Sequence, residues 1–198
     1  MLDFGLIVAD KNMDFALQGI LKRHEALGIR PITSQTVALP GRDGGVRTGG
    51  PEALDRLRSK VSHGIIMLDW EGSGADSEAL DLEQELDHRL QKTWRDRAKA
   101  IVIKPELDAW IWGSNNKMRE VLRCEIPDIR AWLMDRGYEF DQNEKPVRPK
   151  EAIECLLTEL KEPRSSDFYQ KITSKVSLAR CVDPAFLRLR STLQHWFA

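Results

Sequence analysis

Asp69 and Glu71 close the stretch Ser62-His63-Gly64-Ile65-Ile66-Met67-Leu68-Asp69-Trp70-Glu71-Gly72-Ser73-Gly74. Two carboxylates held this close repel each other, and a divalent cation relieves the repulsion. Asp10 and Glu106 occupy comparable places. Asp10 follows the apolar run Phe4 to Ala9, and Glu106 comes soon after the run Ala100 to Ile103. Carboxylate oxygens together with retained waters suit Mg²⁺ or Mn²⁺, and such an ion suits phosphate chemistry. Asp10, Asp69 and Glu71 are therefore the candidate metal ligands, and Glu106 is a candidate for orienting a ligand or a water. The plainer alternative is a loop in which Asp69 caps a turn and Glu71 is solvated.

The elements that must position these groups follow from the hydrophobic pattern. Gly64 to Leu68 is short, uncharged and bounded by turn residues, as a strand buried on both faces should be. Leu6 to Ala9 and Ile101 to Ile103 read the same way, and Pro31 to Leu39 reads as a further strand. Between them, Met13 to Leu27 has helical spacing, with Asn12 as the expected N-cap and Gly28 as the stop. Pro40 to Gly50 reads as a glycine-rich loop. It lacks the Gly-Lys-Ser/Thr of a phosphate-binding loop, and its Arg42 and Arg47 are placed to touch a phosphate backbone. Pro51 then opens a short helix to about Val61, and Asp76 to Arg97 forms a long helix whose charges read as a solvated face. Pro105 suits a first helical position, with Glu106 in the first turn.

Alternation of strands and helices predicts an α/β fold, a parallel sheet with helices on both faces. In such sheets ligands bind at the carboxyl ends of the strands, where Asp10, Asp69, Glu71 and Glu106 all fall. Neighbouring strand ends lie about 5 Å apart, close enough for their carboxylates to converge. From Pro127 onward the chain reads as helical: Pro127 to Arg136, Pro149 to Lys161, Ser165 to Leu178 and Pro184 to Phe197. The expected organisation is an α/β core over 1–126 and a helical part over 127–198 packed on it.

The charges nearly balance, with a formal net charge of −1 over 198 residues. That removes any global pull toward nucleic acid or an anionic membrane. No apolar run approaches the length of a membrane span. The acidic N-terminus lacks the basic region of a signal peptide, and Cys124, Cys155 and Cys181 have neither zinc nor redox spacing. A cytoplasmic protein with reduced thiols is expected. Cys181 has no histidine partner in view and reads as a small buried residue. Trp110 and Trp112 read as core, and Arg180, Arg188, Arg190, Lys171 and Lys175 as a solvated basic face. Asp14 and Asp108 read as first-turn helix residues.

A strand followed by an acidic turn and a helix, then a strand ending in an Asp-x-Asp-like pair, resembles the Toprim pattern. The wider resemblance is to small Toprim-like proteins of bacterial phage-defence loci. It is carried most specifically by Lys104-Pro105-Glu106-Leu107-Asp108-Ala109-Trp110, and again by Tyr169-Gln170-Lys171-Ile172, Cys181, Asp183-Pro184-Ala185-Phe186 and Leu189. More narrowly, the chain resembles the Toprim-like component of a methylation-associated defence system. The resemblance implies a Toprim-like sheet, an Mg²⁺-dependent site acting on or binding nucleic acid, and partners encoded in the same operon. The chain departs from the pattern in three places. Ala9 stands where the first-strand Glu belongs, with Asp10 where a Gly would sit. The acidic pair is Asp69-x-Glu71, and Lys104 replaces an acidic residue.

Three functions are compatible with these residues. The first is a metal-dependent defence component that binds DNA or another nucleic acid and cuts it weakly or with a partner's help. The second is a catalytically degenerate Toprim-fold adaptor or sensor in a defence complex. The third is a small-molecule phosphotransferase or nucleotide-binding enzyme using the same acidic cluster.

Overall fold

The computed structural model describes residues 1–198, and in it the apolar runs form four strands: β1 (Leu2–Val8), β2 (Ser34–Ala38), β3 (Val61–Asp69) and β4 (Ala98–Ile103). They pair side by side in the order β2-β1-β3-β4, all parallel. The register sets Leu6 opposite Ile65, Met67 opposite Ile101 and Asp69 opposite Ile103. Successive side chains along a strand point to opposite faces. Ile65, Ile66, Met67 and Leu68 are all fully buried, so helices cover the sheet on both sides.

The helices are α1 (Lys11–Leu21), α2 (His24–Leu27), α3 (Arg42–Asp55), α4 (Ala79–Trp94), α5 (Asn115–Leu122), α6 (Ile129–Met134), α7 (Pro149–Leu160), α8 (Ser166–Thr173) and α9 (Pro184–Phe197). The expected helix over 13–27 is broken between α1 and α2. Arg23 leaves helical geometry there, and its guanidinium donates to the carbonyls of Thr173 and Val176 at 3.0 and 2.6 Å. The N-cap of α1 is Asp10, whose Oδ1 accepts the Met13 amide at 2.9 Å, and not Asn12, which lies inside the helix.

The larger correction concerns 40–50. This stretch is no loop: α3 begins at Arg42 and carries Pro51 in its interior. Packing overrides a poor helical composition here. Val46, Gly50, Pro51 and Leu54 are the buried residues of α3, and an added Cβ at Gly64 of β3 would stand 2.8 Å from Leu54. Pro51 has no N–H to give the Arg47 carbonyl four residues back. Arg89 of α4 supplies that donor at 2.8 Å and bonds the Thr48 carbonyl at 2.7 Å as well.

The charges of α4 are also more than a solvated face. Glu83 Oε2 accepts the Val102 amide at 2.8 Å and Asp87 Oδ1 accepts the Ala100 amide at 2.7 Å, so α4 covers the outer edge of β4. Arg188 of α9, read as part of a basic face, donates to Glu83 at 2.9 Å. Lys171 and Lys175 are ion-paired to Asp167 and Glu120.

One hydrophobic cluster of 51 buried residues runs from Phe4 to Phe197, so 1–126 and 127–198 share a core. Helix α8 lies along α1, and α9 lies against β4 and α2. Gly19 allows the first of these contacts. A Cβ there would stand 2.2 Å from Thr173 Oγ1 and 2.6 Å from the Gln170 carbonyl oxygen. Gly19→Ala is therefore expected to destabilise the protein by about 1–3 kcal/mol. The readout is a lower urea midpoint at unchanged slope. An unchanged midpoint would mean that α1 and α8 are not held this closely.

Candidate functional site

The strand order reverses direction between β1 and β3, where one connection leads out to β2 and the next returns to the far side of β1. The crevice outside the carboxyl ends of the strands at such a reversal is where open α/β sheets bind ligands. Asp10 follows β1 and Asp69 ends β3, one on each side of it.

Asp69 is held on two sides. Its amide donates to Asp43 Oδ1 at 2.8 Å, and its own Oδ1 accepts the Leu107 amide at 2.8 Å. Burial pushes its carboxyl well above the ordinary range, and the charges of Asp43, Asp108 and Glu106 push the same way. Asp43, in the first turn of α3, is also raised, by burial and then by Asp10, against the hydrogen bond from the Asp69 amide. Glu71 lies exposed in the turn after β3, with its amide on the Pro105 carbonyl at 3.1 Å. Gly72 and Gly74 in this turn have φ of +83° and +68°, values that side chains rarely adopt. Arg47 of α3 fastens the turn by donating to the Gly74 carbonyl, so it is not free to meet a phosphate.

Pro105 does not open an α-helix. The Lys104–Pro105 bond is cis, and Glu106 is extended and precedes a 3-10 turn, Leu107–Trp110. Glu106 is only 5% exposed. Burial first, then the charges of Asp108 and Glu71, raise its carboxyl to about 7, with Lys150 opposing. Lys150 Nζ stands 3.5 Å from Glu106 Oε2. Asp108 does lie in the first turn of this 3-10 segment, and it is buried there. It receives Tyr169 Oη at 2.6 Å and Arg164 Nη2 at 2.9 Å. Its carboxyl is raised by burial, against the pull of Arg164, Tyr169 and Lys150. Trp110 is core, as expected, and its indole donates to Asp183 at 2.9 Å.

The structure thus gathers Asp69, Glu71 and Glu106 at one edge of the sheet and adds Asp43 and Asp108. Asp10 stands at its border and acts on Asp43. No three or more His, Cys, Asp or Glu side chains are placed to hold a metal ion as they stand. Lys104 points away, ion-paired to Glu78 and over the Trp70 ring at 4.8 Å, so this replacement puts no positive charge among the carboxylates. Ala9 is packed in the core, 4% exposed.

Sequence reasoning missed Asp43, Lys150, Arg164 and Tyr169. Asp43 was hidden in the glycine-rich run, and the other three approach from the helical C-terminal part. The signal for Tyr169 was its place in a segment carrying the family resemblance. The cysteines are all free, and no helix is long and apolar enough to cross a membrane. Compared with models of protein families, with curated proteins and with solved structures, the chain matches none of them.

Proposed function

We propose that the carboxylate edge binds a divalent cation, Mg²⁺ or Mn²⁺, and through it the phosphates of a nucleic acid, as part of a bacterial anti-phage system. The observation that carries this reading is the crowding of Asp43, Asp69, Glu71, Glu106 and Asp108 at the strand ends, with Asp43, Asp69, Glu106 and Asp108 held above their ordinary range. The donor set fits a hard cation, because it consists entirely of carboxylate oxygens. Asp10, Asp43 and Asp69 each accept a backbone amide through one oxygen and keep the other. Asp69 and Glu71, with Asp10 or Asp43 beside them, would hold the ion, which would polarise a phosphoryl oxygen. Glu106, with a proton affinity near neutrality, suits proton transfer at a bound water.

Titration calorimetry with MnCl₂ tests this. Heat is expected from the wild type and none from Asp69→Ala. The apparent affinity should rise between pH 6 and 8 as the cluster gives up protons. Equal heats from the two proteins would remove the site. Incubation with linear, supercoiled and single-stranded DNA plus Mn²⁺ then separates binding from cutting. With Ala9 where a general acid-base Glu belongs, slow cleavage is expected, down by about 10²–10⁴ relative to a complete site.

A second reading, an adaptor that does no chemistry, is favoured by the burial of Ala9 and by the structural use of one oxygen on each of Asp10, Asp43 and Asp69. Phage protection that is unchanged in a folded Asp69→Ala/Glu71→Ala variant would select it.

A further inference from the structure

Away from the carboxylate edge, two concavities meet at Trp112, Gly113 and Asn143. The first, about 80 Å³, is floored by the buried Ile20, Trp110, Val176 and Phe186, with Lys145 and Arg180 at its rim. The second, about 140 Å³, lies between Met118 and Phe140 beside the ion pair of Arg130 with Glu144. Neither Lys145 nor Arg180 has an ion-pair partner. Val182, at the same rim, is 53% exposed. The first concavity is well below the roughly 300 Å³ at which pockets for whole small molecules begin. It has the volume of a side chain, in an aromatic-floored hollow of the kind that anchors protein interfaces. Two unpaired cations above an apolar floor ask for an anion beside an apolar group.

We propose that this groove docks an acidic segment of a partner protein, which seats one branched aliphatic side chain over Trp110 and Phe186 and sets a flanking Asp or Glu against Lys145 and Arg180. The cations would steer the encounter and the aromatic floor would supply affinity. The proposal stands apart from the metal site and does not need it.

The test is selection of a random twelve-residue peptide library on the full chain, followed by anisotropy titration of the enriched peptides. The expected consensus is an aliphatic residue flanked by Asp or Glu. Binding should fall by at least about tenfold in Lys145→Glu/Arg180→Glu, since the two reversed charges repel the acidic flank of the peptide. Gly113→Leu should block the groove by filling the saddle between the concavities. A Cβ at Gly113 meets Val176 at 3.5 Å, an ordinary contact, so this variant should keep the wild-type unfolding temperature. Arg58→Glu, elsewhere on the surface, should bind as the wild type does. Failure to enrich any peptide, enrichment without acidic bias, or equal binding by the groove variants would overturn the proposal. So would a dT₁₂ oligonucleotide that competes at the groove and is itself lost in Gly113→Leu, which would reassign the groove to nucleic acid.

Discussion

Glu106→Gln is expected to be more stable than the wild type by about 3–3.5 kcal/mol above pH 7, and no more stable below about pH 4.5. Unfolded, Glu106 ionises near the ordinary 4.5; folded, it ionises near 7. Below 4.5 both states hold the proton and ionisation favours neither. As the pH rises from 4.5 to 7 the unfolded chain releases its proton first, so stability falls. Above 7 both are ionised and the penalty is complete, each tenfold change in acidity being worth about 1.4 kcal/mol. Gln keeps the shape and removes the charge. Asp69, raised well above its ordinary value, adds a decline of the same sign. Thermal melts of the two proteins from pH 4 to 9 give the difference directly. A Gln variant equal to or weaker than the wild type at pH 8 would show that Lys150 satisfies the Glu106 charge fully. A stabilising substitution that slows Mn²⁺-dependent cleavage is what a functional site held against its own repulsion should give.

The second large effect is expected at Arg164. Arg164→Leu leaves Asp108, 2% exposed, without its cation, and breaking a buried pair from one side costs about 3–5 kcal/mol. Because Arg164 itself is 28% exposed, the lower figure is expected. Adding Asp108→Asn should recover part of the loss, since the uncompensated charge goes while Tyr169 keeps a partner. Glu154→Ala, which removes the exposed partner of the same arginine, should change stability by less than about 0.5 kcal/mol. Urea unfolding of the four proteins provides the comparison. A loss of similar size from Glu154→Ala and Arg164→Leu would deny Asp108 its central place.

The strands β1, β3 and β4 were legible because both of their faces are buried, so the apolar runs are short, uncharged and end at the carboxylates. The strand-end placement of Asp69, Glu71 and Glu106 follows from the same pattern. Helix α3 was not legible. Its glycines and proline speak against a helix in isolation, and what holds it together is Leu54 packed on Gly64 together with Arg89 on the carbonyl that Pro51 orphans. Asp43 was lost with it. Lys150, Arg164 and Tyr169 lie 44, 56 and 61 positions from the carboxylates they meet, and side-chain pairs at that range leave no periodic trace in a sequence. Lys104 shows the opposite hazard: its type suggested a change of charge in the site, while its direction, toward Glu78 and Trp70, removes it from the site.

The cover that α4 lays on β4 bears on how copies of this protein behave when crowded. An open strand edge is a template on which another chain can add a strand of its own. At β4 the outward amides of Ala100 and Val102 are occupied by Asp87 and Glu83, and Arg188 reaches the Val102 carbonyl at 3.3 Å. Strand addition is thereby refused on that side and left to β2, five residues long and partly exposed. Growth by adding strand to strand would have to begin at that single short edge.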